Sequence, residues 1–263
     1  MAQLPPSSRV TVTCSPTKGI GATLDLSARL CDAGHDVVPH IAARLVKGRD
    51  EVTRLAAWLR RHDVKEVFVV GGDSPSPAGC YTDAFSFLRD LLDAAAGDVA
   101  RVGVTAYPDG HVDIAGSVLR AALQSKQALL ADARVEGYAT TQMCFEPLQI
   151  RAWLATERLA GLRMPVYLGV PGVVERRKLL TIGMRVGVGA SLRYLRKNTG
   201  LLGPLLSPRM SRYDPSDLVD AVAPHAAELG IVGLHSFTFN SVAPTADWAA
   251  RSGNAVCAPC GSV

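Results

Sequence analysis

The chain has no stretch of about 18 uninterrupted apolar residues, the length a helix needs to cross a bilayer. Its first residues, MAQLPPSSR, lack the apolar core of a secretory signal. The expectation is therefore a soluble cytoplasmic protein, without a membrane partner, whose six cysteines stay reduced. A single CxxC, Cys257-Ala-Pro-Cys260, stands near the end with no second CxxC or His pair to complete a zinc set. No metal is expected, and both cysteines should be dispensable. The Lys/Arg runs are short and not interleaved with aromatics, which argues against nucleic acid. GxGxxG, the P-loop, HExxH and GxSxG are all absent. A Rossmann dehydrogenase, a nucleotide kinase and an α/β-hydrolase lose support accordingly.

What is present suits one sizeable core. Of 263 residues, 48% are hydrophobic and only 20% charged, too apolar a balance for disorder. A net charge of +4 tilts the chain toward anionic partners. Short β-branched runs at 10–14, 37–41, 67–71, 101–107, 139–145, 166–170 and 232–239 alternate with segments of helical period. In one of these, at 50–62, Val52, Leu55 and Leu59 recur at helical spacing. In another, 24–30 is followed by Gly34 as a helix stop, and Asp214-Pro215-Ser216 starts a third. Such alternation predicts a parallel sheet with helices outside it. Seven strands are one short of a closed barrel, and an open doubly wound sheet could also be built from seven. The whole chain is read as one domain, with a terminal helix and loose tail over 241–263.

Each predicted strand ends in residues that a core would not choose. Thr13-Cys14-Ser15-Pro16, Pro39-His40, Gly71-Gly72-Asp73-Ser74, Tyr107-Pro108-Asp109-Gly110-His111 and Thr238-Phe239-Asn240 lie at strand ends, and the fifth strand carries Thr140-Thr141-Gln142, with Gln142 mid-strand between apolar neighbours. In parallel α/β folds ligands bind at the carboxyl ends of strands, so these residues predict one shared site. Singly each has a plainer explanation: Asp73 as a turn former, His40 as a packed mouth histidine, Tyr107 as core. Gln142 reads equally well as a ligand contact or as an internally bonded amide.

In order along the chain these motifs resemble methylenetetrahydrofolate reductase. Val69-Val70-Gly71-Gly72-Asp73 is similar to that family's L-R-G-D strand, Ala106-Tyr107-Pro108-Asp109-Gly110-His111 to its A-Y-P-E-x-H, and Thr140-Thr141-Gln142-Met143-Cys144-Phe145 to its I-T-Q-x-x-F. Gly233-Leu234-His235-Ser236-Phe237-Thr238-Phe239-Asn240 is similar to its closing strand. The resemblance implies a (β/α)8 TIM barrel over about residues 10–240. It implies reduction of 5,10-methylenetetrahydrofolate by NADH or NADPH through bound FAD, in one-carbon and methionine metabolism. Thr13, His40, Gly72, Tyr107, His111 and Lys126 would contact the flavin cofactor; Asp73 would be catalytic, and Asp73 and Gln142 would bind the folate. A homo-oligomer is compatible with this reading.

The chain departs from that pattern. The family's first strand, with its glutamate, has no counterpart before residue 10, so the seven strands would be the second to eighth, leaving edges at 10–14 and 232–239. An upstream start would restore that strand and raise stability. Gly71 stands where the family has a phosphate-binding Arg, and Ser125-Lys126-Gln127-Ala128 keeps one of two lysines. A non-catalytic folate- or flavin-binding barrel subunit and a folate-dependent methyl-transfer protein are the alternatives.

Overall fold

A computed structural model describes residues 4–185 and 212–252; Cys257, Cys260 and most of the basic, glycine-rich stretch after Gly183 lie outside them. Strands and helices alternate as the periodicity predicts: β1 (Arg9–Val12), α1 (Gly19–Asp32), β2 (Asp36–Ala42), α2 (Arg49–Arg61), β3 (Glu66–Val70), α3 (Ala84–Ala95), β4 (Arg101–Ala106), α4 (Gly116–Asp132), β5 (Glu136–Thr141), α5 (Pro147–Leu159) and β6 (Val166–Pro171). Then come β7 (Val174–Glu175), α6 (Arg176–Arg185), β8 (Arg212–Tyr213), α7 (Ser216–Val222), α8 (Ala226–Leu229), β9 (Ile231–Phe237) and α9 (Val242–Ser252). Seven strands form one parallel sheet in the order β1-β2-β3-β4-β5-β6-β9, while β7 and β8 pair antiparallel. Among the described residues this order does not close on itself, so the complete eight-stranded barrel expected from the sequence is not shown.

Local chemistry explains the elements. In α2, Val52, Leu55, Ala56 and Leu59 are buried at helical spacing. Asp50 and Glu51 sit in its first turn and Arg60 and Arg61 in its last, each sign opposing the helix dipole. Asp83 caps α3 by accepting from the Ser86 N–H at 2.9 Å. The fifth strand is displaced from its expected place. It ends at Thr141 rather than Phe145, because Met143 and Phe145 leave the ladder for a buried cluster with Val174, Leu179 and Tyr213. Their apolar character reads as strand but serves a buried turn leading to Pro147 at the start of α5.

The chain divides into two compact units, Pro5–Thr105 with Ala122–Tyr138, and Ala106–Ala121 with Ala139–Val263. In the first, alternate strand residues separate by chemistry. One face buries Val37, Ile41, Val67, Val69, Val102 and Val104. The other carries His40, Phe68 and Gly103 at one level, with Glu66 and Arg101 two residues nearer the amino end. Here Glu66 is buried and accepts from the Tyr138 hydroxyl at 2.6 Å. It also pairs with Arg9 and, at 3.5 Å, with Arg101, whose guanidinium lies 4.5 Å from the Tyr138 ring centre. Arg101 reaches Glu136 at 2.8 Å as well. Burial and the Glu66 carboxylate together push the Tyr138 hydroxyl pKa well up, so it remains a donor at any ordinary pH.

Gly103 makes room for this arrangement. A methyl group there would run into the rings of Phe68 and Tyr138. Gly103→Ala is expected to cost about 1–3 kcal/mol by overpacking. Urea denaturation measures it, and a variant within about 0.5 kcal/mol of the parent would show the rings free to move aside.

Candidate ligand-binding site

Of the residues singled out from sequence, Thr13, His40, Gly72, Asp73 and Lys126 belong to the first unit. Thr13 is exposed just beyond β1, its carbonyl accepting a long 3.5 Å bond from Thr23. His40 is buried, its ring centre 4.5 Å from that of Phe68, so it is part of the packed face just described. Gly72 adopts a φ of +95°, and a Cβ there would stand 3.0 Å from Ala42 Cβ. The close approach it permits is to β2, not to a ligand.

Asp73 is exposed and accepts no hydrogen bond from a described residue. Its loop is held by Arg44, which sequence reasoning does not single out. Arg44 donates from Nε to the Ser74 carbonyl at 2.8 Å, from Nη2 to Pro75 at 2.8 Å and from Nη1 to Thr82 at 3.1 Å. Lys126 sits on the buried side of α4 at 7% exposure, beside Leu123 and Leu130 in the helix pattern. Burial pulls its amine pKa down to about 8, with Asp83 opposing. A cation that buried does not serve an exposed pyrophosphate.

Tyr107, His111 and Gln142 all belong to the second unit, Tyr107 and Gln142 just past the ends of β4 and β5 and His111 in the loop after β4. The Gln142 N–H donates to the Ala106 carbonyl at 2.7 Å, carrying the β5 ladder one residue past the strand end. Gln142 is therefore not mid-strand, as expected, but at its lip. Register places Thr140 beside Tyr167, Gly169 beside His235, and Pro171 beside Phe237. With the two-residue alternation, Thr140, Gln142, Tyr167, His235 and Phe237 share one face. The opposite face buries Ala139, Thr141, Val166, Leu168 and Val170 at 1% exposure or less. Gln142, Tyr167, His235 and Phe237 are only half-buried. The fold thus spends one side on packing and leaves a polar, aromatic side accessible.

Hydrogen bonds fix what two of these side chains present. The Met143 N–H donates to Gln142 Oε1 at 2.9 Å. A backbone N–H can only donate, so this assigns the amide, with Nε2 and its two N–H groups unpartnered among the described residues. The Asp113 N–H likewise donates to His111 Nδ1 at 3.1 Å, which puts the proton of the neutral ring on Nε2. Tyr107 meets His111 edge-on, ring centres 5.6 Å apart. The loop after β4 is anchored from below: the buried Cys144 thiol donates to Asp109 Oδ1 at 3.2 Å, and Gln149 Nε2 donates to the Pro108 carbonyl at 2.8 Å. Tyr167 escapes the sequence reading, and His235 and Cys144 stand within quoted motifs but are given no role there. The alternation Tyr167-Leu168-Gly169-Val170 is the signal that could have placed Tyr167 on the open face.

No family model matches the chain. Solved structures similar to it include a family 18 chitinase from Crocus vernus, at 12% identity over 95% of this chain and 89% of that one, TM-score 0.48. Another is oxaloacetate acetylhydrolase, at 12% identity over 92% of this chain and 69% of that one, TM-score 0.46. A third is 2,3-dimethylmalate lyase, a PEP mutase/isocitrate lyase superfamily member, at 15% identity over 78% of this chain and 77% of that one, TM-score 0.42. At such scores these likenesses say nothing of this chain's reaction.

The resemblance to methylenetetrahydrofolate reductase is withdrawn, since no family model supports it. With it go FAD, NADH or NADPH, the folate substrate, and the folate-based alternatives. Its motifs have local causes instead: Gly72-Asp73 is a turn packed on β2, Tyr107-Pro108-Asp109-Gly110 a loop anchored on the segment after β5 and on α5, and Lys126 a buried helix residue. What the described residues themselves establish is an α/β fold, with a polar strand-end face in its second unit.

Proposed function

We propose that the polar face of the second unit binds a small molecule through an oxyanion, and that the chain is an enzyme acting on that molecule. The observation that carries this is the Gln142 amide, whose oxygen is taken by the Met143 N–H, leaving its two N–H donors without a partner among the described residues. The His111 Nε2–H adds a third donor in the loop after β4. Donors fixed before the ligand arrives suit a carboxylate or phosphate oxygen, because no reorganisation is needed to stabilise its charge. Tyr167 and Phe237, half-buried on the same face, add aromatic surface for the remainder of the molecule. The net charge of +4 is of the helpful sign. Strand-end placement is also the habit of (β/α)8 barrels, and that architecture is part of the proposal.

The test is calorimetric titration of the full chain with oxalate and with inorganic phosphate. Saturable binding of either is expected, weakened about tenfold in Gln142→Leu and in His111→Ala, the loss typical of a hydrogen bond to a charged group. Affinity unchanged in both variants would place the anion elsewhere.

A further inference from the structure

On the same face as Gln142, two residues nearer the amino end, stands Thr140. Its side chain is 3% exposed, and its hydroxyl has no hydrogen-bond partner among the described residues. Its neighbour Thr141, on the opposite face, shows what the fold does with a hydroxyl it needs for itself: Oγ1 accepts from the Gly169 N–H at 2.8 Å. Valine has the shape of threonine and a strong strand preference, so packing alone gives no reason for a hydroxyl at position 140. A buried polar group without a partner carries a cost that calls for an explanation outside the fold.

The surroundings supply one. Thr140 lies level with Tyr167 by register and directly below the Gln142 position by alternation. Gln142 is held in place by a bond to its own neighbour's N–H. We infer that Thr140 is a ligand-contacting residue of this site, its hydroxyl bonding the oxyanion, or an atom next to it, beneath the Gln142 amide. The inference rests on the reading of the site given above and adds its floor. Gln142 Nε2 grips from the lip, the Thr140 hydroxyl donates from beneath, and the ligand end that enters must be small and rich in acceptors, as a carboxylate or phosphate is.

Three variants of the full chain test this: Thr140→Val, Thr140→Ser and Gln142→Leu, each titrated with oxalate and with inorganic phosphate and melted without either. Thr140→Val should melt no lower than the parent, since it discards only an unsatisfied group, yet bind the preferred anion about tenfold or more weakly. Thr140→Ser should restore most of the affinity. Oxalate favoured over phosphate identifies a carboxylate, the reverse a phosphate, and either outcome supports the inference provided Thr140→Val loses it. If Gln142→Leu weakens binding while Thr140→Val binds as the parent does, the site stands and this inference falls. A lower melting temperature in Thr140→Val with unchanged affinity would show the hydroxyl to be structural and overturn the inference. Absence of binding by either anion would overturn both readings together.

Discussion

Glu66→Ala is expected to cost the chain about 3–5 kcal/mol, the range for removing one partner from a buried charge network. Glu66 is 8% exposed, and its two oxygens serve Arg9, Arg101 and the Tyr138 hydroxyl. Taking the carboxylate away removes one ion-pair partner of the largely covered Arg101 guanidinium, which keeps Glu136, and takes from the Tyr138 hydroxyl its Glu66 acceptor. Glu66→Gln keeps the shape and an acceptor for Tyr138 but loses the charge, so its loss should be intermediate. The double variant Glu66→Leu with Arg101→Met should recover much of the deficit, because apolar groups of similar size avoid the desolvation that the pair endures. Denaturant unfolding of the four proteins reads this directly. A single-variant loss under about 1 kcal/mol would mean that water, not protein, surrounds these charges.

Lys126→Met should act in the opposite sense and stabilise the chain. Burial lowers the folded-state amine pKa from 10.5 to about 8. Between those two values the unfolded chain binds more protons than the folded one, so stability rises with pH across that window. Below about 8 both states are protonated and the whole penalty applies. It is on the order of 3 kcal/mol at one pKa unit per about 1.4 kcal/mol. Methionine fills a similar volume without charge. The variant should therefore melt higher at neutral pH and lose the rise in stability that the parent shows above pH 8. Parallel curves for parent and variant from pH 7 to 10.5 would count against a buried, uncompensated amine.

These two residues show what was legible in the sequence. Alternation of β-branched runs with amphipathic segments marked every strand of the parallel sheet, because strands buried on both faces read as short continuous apolar runs. It also put polar groups at strand ends, and Tyr107, His111 and Gln142 do belong to one unit. It could not show that Lys126 faces inward, since one lysine in a 17-residue helix reads as surface until its neighbours are known. Glu66 and Arg101 were hidden for another reason. Each opens a strand, where a charge passes for a solvated boundary, and only pairing of β3 with β4 sets them side by side.

The family resemblance went wrong where local geometry mimicked a ligand motif. A glycine needed for φ +95° against Ala42 reads the same as one needed for a cofactor. Likewise Met143-Cys144-Phe145 extends an apolar run past the strand end, although the ladder stops and the chain turns inward. Sequence spacing fixes which residues alternate but not which ones find partners within the fold. That is why Thr140 and Thr141, adjacent and alike, differ in the structure.

If Gln142 and His111 hold N–H donors ready for an oxyanion, nitrogen-15 NMR of the full chain, with the Gln142 side-chain amide and His111 Nε2–H resonances assigned by substitution, will show it. Both resonances are expected to move together and saturably on titration with oxalate or phosphate, with one dissociation constant. Resonances that stay fixed while the anion binds, or that drift without saturating, would contradict it.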